Sequence, residues 1–114
     1  MDAISSVLIS KALDGLSLRQ IFSAQNIANA NTPDYKPVEV TFEKTLEAAA
    51  TKGIEAIDDV SPKTRYSQAY GGSAEMRLDM ELAISSQTAM RYGALIEVMG
   101  RQMSLARAVI TGGQ

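Results

Sequence analysis

The stretch NIANANTPDYKP, residues 26–37, is where the reading of this chain is decided. It closes a long amphipathic run with unusually dense polar chemistry. Asn26 and Asn29 stand one helical turn apart, so they share a face at a helix end where the last carbonyls lack intrahelical donors. Side-chain amides can satisfy those carbonyls. Asn31 suits the departure from the helix, and Pro33 both forbids continuation and drives Thr32 toward extended backbone. The stretch therefore predicts a helix ending near Ala30 and an extended arm beyond it.

Upstream, apolar residues fall at helical spacing, with Ile9, Leu13 and Leu16 on one line and Leu18, Ile21, Phe22 and Ala28 on a neighbouring one. One helix over about 4–30 is predicted. Asp14-Gly15 lowers its propensity, and Ser17-Leu18-Arg19-Gln20 has the form of a capping box that restarts a helix, so a bend or fraying near Gly15 is expected. Downstream, Val38 to Glu43 alternates apolar and polar residues, the pattern of a short strand or extended arm. Residues 44–52 suit two helical turns ended by Gly53. The segment 54–73, with Asp58, Asp59, Pro62, Gly71 and Gly72, reads as poorly ordered polar loop. From about Ala74 to Ile110 a second helix is predicted, with Asp79 and Glu81 near its start, Arg101 and Arg107 near its end, and Glu97 one turn before Arg101. Gly112-Gly113 supplies its stop. The expected fold is mainly α: two long amphipathic helices, about 4–30 and 74–110, packed as an elongated hairpin or coiled coil. An extended, irregular middle segment, 31–73, joins them within a single unit spanning 1–114.

Composition narrows the function. The 114 residues include no histidine, cysteine or tryptophan, which removes imidazole bases, thiol nucleophiles and the usual soft metal ligands. No catalytic, cofactor or metal site is expected. The net charge of -2 comes from 11 basic and 13 acidic residues dispersed along the chain, which argues against a nucleic-acid footprint. Tyr66 and Tyr70 beside Arg65 do not overturn that, and Asp58-Asp59 in a Pro/Ser loop reads as a solvated pair. No small-molecule substrate is implied. Apolar runs are broken by Lys11, Asp14 or Arg19, too short for a membrane span, and the amino terminus has no cleavable signal pattern.

The second helix carries two apolar seams. Leu82, Ser85, Ala89, Tyr92, Ile96, Met99, Met103, Ala106 and Ile110 follow a heptad spacing. Beside them run Ile84, Thr88, Arg91, Leu95, Val98, Gln102, Leu105 and Val109. A helix of about 37 residues is roughly 55 Å long, whereas a compact chain of this size is only about 34 Å across. One globule cannot sheath it. The first helix covers one seam, and the other is left to neighbouring molecules. Methionines at 76, 80, 90, 99 and 103 suit packing against non-equivalent neighbours.

These residues also carry a resemblance. NIANANTPDYK resembles the amino-terminal signature of the bacterial flagellar axial proteins, the rod and hook family: an Asn-Ile-Ala-Asn ladder followed by Thr-Pro-Gly-Tyr. Asn26, Ile27, Ala28, Asn29, Ala30, Thr32, Pro33 and Tyr35 fall on that pattern, with Asp34 where the family has glycine. MRLDMEL (76–82) resembles the start of the carboxy-terminal helix of the family's short proximal rod components, a Val-Asp-x-Glu-x-Glu-Met pattern. Met76, Arg77 and Leu82 depart from it. TAMRYGALIEVMGRQM (88–103) resembles their Asn-Ala-x-Arg-Tyr-x-Ala-Leu run, with Thr88 for asparagine.

The resemblance implies a structural subunit of the basal-body rod, a helical tube that carries torque for motility, exported by the flagellar type III route without a cleaved signal peptide into the periplasmic space. Its implied partners are copies of itself, other rod proteins, and rotor-ring and export-gate proteins at the rod base. The implied assembly motif is Asn26, Ile27, Ala28, Asn29, Asn31, Thr32, Pro33 and Tyr35. On the second helix, Leu82, Ala89, Arg91, Tyr92, Leu95, Ile96, Met99 and Met103 are the implied packing residues. The competing reading is a soluble, non-polymerising helical adaptor or chaperone that binds a partner helix in its apolar groove.

Overall fold

A computed structural model describes residues 2–68 and 78–112. The expected helix start at Ala74, Tyr70, Gly71-Gly72, Met76, Arg77 and the closing Gly113 lie outside the described residues. Helix α1 spans Ala3–Ala28, capped by Asp2, whose carboxylate accepts the Ser5 N–H at 2.7 Å.

The first helix is single, as expected, and it shows no fraying near Gly15: α1 runs unbroken through Asp14-Gly15, and Ser17-Gln20 starts no new helix. The reason is a close approach. Phe42 lies so near that a Cβ on Gly15 would stand 2.4 Å from the ring. Glycine costs a helix interior about 1 kcal/mol relative to alanine. Burying a phenylalanine returns about 1.5–3 kcal/mol, so the exchange favours the glycine.

After α1 the chain forms strand β1 (Val38–Thr41), helix α2 (Glu43–Ala50), helix α3 (Ile54–Asp58), strand β2 (Lys63–Tyr66) and the long helix α4 (Leu78–Gly112). The expectation that 54–73 is loop is corrected by α3 and β2. Gly53, at φ 107°, lets the chain reverse from α2 into α3, where Ile57 is completely buried. Strand β2 is held differently. Its four residues are all exposed, and it exists because β1 pairs with it antiparallel, Val38 opposite Tyr66 and Thr41 opposite Lys63. A strand ordered by backbone pairing and exposed polar contacts leaves no apolar alternation in the sequence.

The core comprises Leu16, Val40, Phe42, Leu46, Ala49, Ile57 and Val60, with Leu95 of α4 packed on its edge. It lies where the middle segment folds onto α1, rather than along the helix pair. Helices α1 and α4 form an antiparallel hairpin: Ser6 shares a small cavity with Met99 and Met103, and Gln20 reaches Ser85 at 3.0 Å. The molecule is elongated, 64 × 27 × 15 Å.

Toward α1, α4 turns mainly its more polar line, with Glu81 and Thr88 buried and Ile84, Leu95 and Gln102 half-buried. Met99 and Ser85 of the heptad line join them. The rest of that line stays exposed, Leu82, Ile96 and Ile110 included; Ala89 and Tyr92 edge a cavity with Leu16, Ser17 and Gln20, and Met103 and Ala106 edge the one with Ser6.

Gly15→Ala tests the packing explanation. Intrinsic propensity alone would stabilise the helix by about 1 kcal/mol; overpacking against Phe42 should instead destabilise the chain by roughly 1–3 kcal/mol, read from the midpoint of urea unfolding.

Candidate assembly site

The end of α1 carries a polar stripe on its inward face. Arg19, Ser23 and Asn26 are spaced at four and three residues, which puts them in line on one side of a helix. All three bond to other elements, and Asn26, only 1% exposed, is the centre. Its Nδ2 donates to the Val38 carbonyl at 2.8 Å and to Glu81 Oε1 at 2.8 Å. Its Oδ1 accepts the Tyr35 hydroxyl at 2.8 Å and the Val38 N–H at 3.0 Å. A carboxamide has two donors and room for two acceptor bonds, so Asn26 is saturated within the chain. One side chain thereby joins the helix exit, the turn, β1 and the start of α4.

The other ladder residues shape the exit. Asn29 Nδ2 donates to the Gln25 carbonyl at 2.8 Å, closing one of the helix's last acceptors, and its Oδ1 accepts the Thr32 hydroxyl at 3.0 Å. Asn26 performs no such capping; its amide is spent on tertiary contacts. The Tyr35 N–H returns to the Thr32 carbonyl at 3.3 Å across Pro33-Asp34, and Asp34 has φ 61°. Proline second and a positive φ third make this a type II turn, in which aspartate occupies the position suited to glycine. Asn31, Thr32 and Pro33 are exposed, Ile27 is half-buried and Ala28 exposed.

Arg19, which the sequence places in a capping-box pattern and not at this site, locks the arm further along. Its guanidinium donates to Val40 O at 2.7 Å, makes a two-pronged contact with Glu43 at 2.7 Å on each oxygen, and lies 4.9 Å over the Phe42 ring. That contact holds the Glu43 carboxyl below the usual carboxylate range. Arg91 of α4 approaches the same carboxylate at 3.7 Å, so this expected packing residue serves a contact inside the chain. Glu81, 3% exposed, and Ser23, whose hydroxyl donates to the Glu81 carbonyl at 3.4 Å, complete the junction with α4.

The sequence-derived residues thus separate into two groups. Asn26, Asn29, Thr32 and Tyr35 converge in one hydrogen-bonded joint, with Pro33 in its turn. Leu82, Ala89, Tyr92, Ile96 and Met103 remain exposed along α4, Ala89, Tyr92 and Met103 at the margin of α1, whereas Leu95 packs on the core and Met99 is half-buried. Among the described residues no cluster of acidic side chains could hold a metal ion, and no helix is long and apolar enough to cross a membrane.

No protein-family model matches the chain. It is similar to the flagellar basal body rod protein FlgB of Bacillus subtilis (strain 168), with 28% identity over 120 residues, covering 93% of this chain and 92% of that protein. It is also similar to the FlgB of Borrelia hermsii, 55% identical over 42 residues, 37% of this chain and 31% of that protein.

Two substitutions test the joint. Asn26→Ala removes four hydrogen bonds, to Tyr35, Val38 and Glu81, and should cost roughly 3 kcal/mol in chemical denaturation, against about 1 kcal/mol or less for Asn29→Ala. Burial, then the Glu81 carboxylate, raises the Tyr35 hydroxyl above its ordinary 10.0. Its stabilising contribution is complete below that value and lost as pH rises through the higher folded one. Tyr35→Phe should flatten the alkaline decline in stability, while lowering stability at neutral pH by about 1 kcal/mol for the lost hydrogen bond.

Proposed function

We infer that this chain, which belongs with the flagellar basal-body rod proteins, is a subunit that assembles with copies of itself and other axial proteins into the helical tube of the rod. The similarity to FlgB proteins supports a structural component of that rod. The observation that carries assembly is the exposed apolar line of α4, in which Leu82 is 49%, Ile96 46%, Met103 57% and Ile110 73% exposed. A row of this length on a 35-residue helix is costly to leave in water and is suited to burial between molecules.

The joint around Asn26 fits the same role. A tube that transmits torque needs each subunit's arm held at a fixed angle to its helices, and a saturated, buried hydrogen-bond network resists a change of that angle. In this reading the motif acts inside the subunit, and α4 supplies the contact between subunits. Rotor-ring and export-gate proteins at the rod base are the further partners, reached after export without a cleaved signal peptide, with the rod lying in the periplasmic space.

A pair of neighbouring substitutions separates the two faces of α4. Ile96→Asp should leave the melting temperature of the purified chain within a few degrees of the parent and abolish rod assembly and swimming. Leu95→Asp, on the core side, should unfold or strongly destabilise the chain before assembly is reached. Normal swimming of the Ile96→Asp strain would contradict the assembly reading.

A further inference from the structure

The two edges of the small sheet are treated in opposite ways. The Ser67 N–H donates to Pro37 O at 2.8 Å, which continues the β1–β2 pairing and fixes its phase. Glu39 and Thr41 therefore exchange bonds with Arg65 and Lys63, while the backbone groups of Val38 and Val40 point to the outer side of β1. That outer side is closed by α1: Asn26 bonds both the N–H and the carbonyl of Val38, as a neighbouring strand would, and Arg19 takes the Val40 carbonyl.

The same phase sends the N–H and C=O groups of Thr64 and Tyr66 outward from β2. Among the described residues nothing bonds them, and all four residues of β2 are exposed, Tyr66 by 66%. Proteins commonly blunt such an edge with charge. Here Arg65 is neutralised by Glu39 at 2.6 Å, which leaves Lys63, and Lys36 beside the Tyr66 ring, to set the sign of the field. A basic edge disfavours pairing with β2 of a second copy, which would bring the Lys63 charges of both copies to one sheet, and favours an acidic strand.

We propose that the outer edge of β2 accepts an extended, acidic segment of a different protein subunit, which adds as a third strand through the backbone of Thr64 and Tyr66. This goes beyond the α4 contact and rests on the chain being a rod subunit. Main-chain hydrogen bonds supply the attachment, and Lys63 selects the charge of the incoming strand.

Amide hydrogen exchange tests it. In the isolated chain the Thr64 and Tyr66 amides should exchange near the unprotected rate, faster than the inward-facing amide of Arg65. In basal bodies purified from the source bacterium they should slow at least tenfold; unchanged exchange there overturns the proposal. Thr64→Pro removes an outward N–H that the β1 pairing does not use. With an unchanged melting temperature and normal export, it should lower incorporation into basal bodies at least tenfold, and Lys63→Glu, which leaves the backbone intact, should lower it similarly. Full incorporation of both variants overturns strand addition while leaving the α4 contact standing. Absence of the parent chain from basal bodies would overturn the rod reading and this one together.

Discussion

The carboxamide of Asn26 commits both donors and both acceptor sites to four groups on three different parts of the chain. Its burial makes that commitment consequential, because an unmet amide away from water is expensive and a met one permits little angular freedom. The position of β1 follows from it, and so does the turn at Tyr35. Strand β1 in turn carries Val40 and leads to Phe42, the residues that seat the middle segment on α1. Arg19 repeats the device two helical turns further from the exit, holding the next carbonyl of the same edge and the carboxylate that opens α2. Between the two long helices, residues 38–66 thereby form a folded wedge against α1.

A consequence appears on α4. Because the middle segment packs against α1 and reaches across to Leu95 and Arg91, the side of α4 that turns inward is its more polar line. Its richer apolar line, from Leu82 to Ile110, is left mostly exposed. Hydrophobic surface in this chain is divided between a compact core under Phe42 and a long exposed stripe on α4, which the proposed assembly would bury. The stripe continues at Val109 and Ile110, near the end of α4, which lies beyond the residues that face the start of α1.

Much of this was legible in the residues. Helical spacing located α1 and α4, the proline placed the exit, and period-two alternation from Val38 marked β1. Three features were hidden for identifiable reasons. Gly15 reads as a weak point because local propensity cannot register a phenylalanine 27 positions away that needs the room. Strand β2 has no apolar face to advertise, so only its distant partner defines it. Asn26 reads as a helix cap like Asn29, since both are asparagines one turn apart; what distinguishes them is the face each occupies. The stripe Arg19, Ser23, Asn26 was visible as a spacing, and its meaning depended on Val40, Glu43 and Glu81, which are 21 to 58 residues distant along the chain.

The central claim is that the outer line of α4 is exposed in the single chain and buried between subunits in the rod. The absence of cysteine allows one thiol to be placed at a chosen position. With Met103→Cys, maleimide labelling of the isolated chain should be rapid, and labelling in intact purified basal bodies should be suppressed at least tenfold and restored when they are dissociated. Equal labelling of the free and assembled chain would contradict the account.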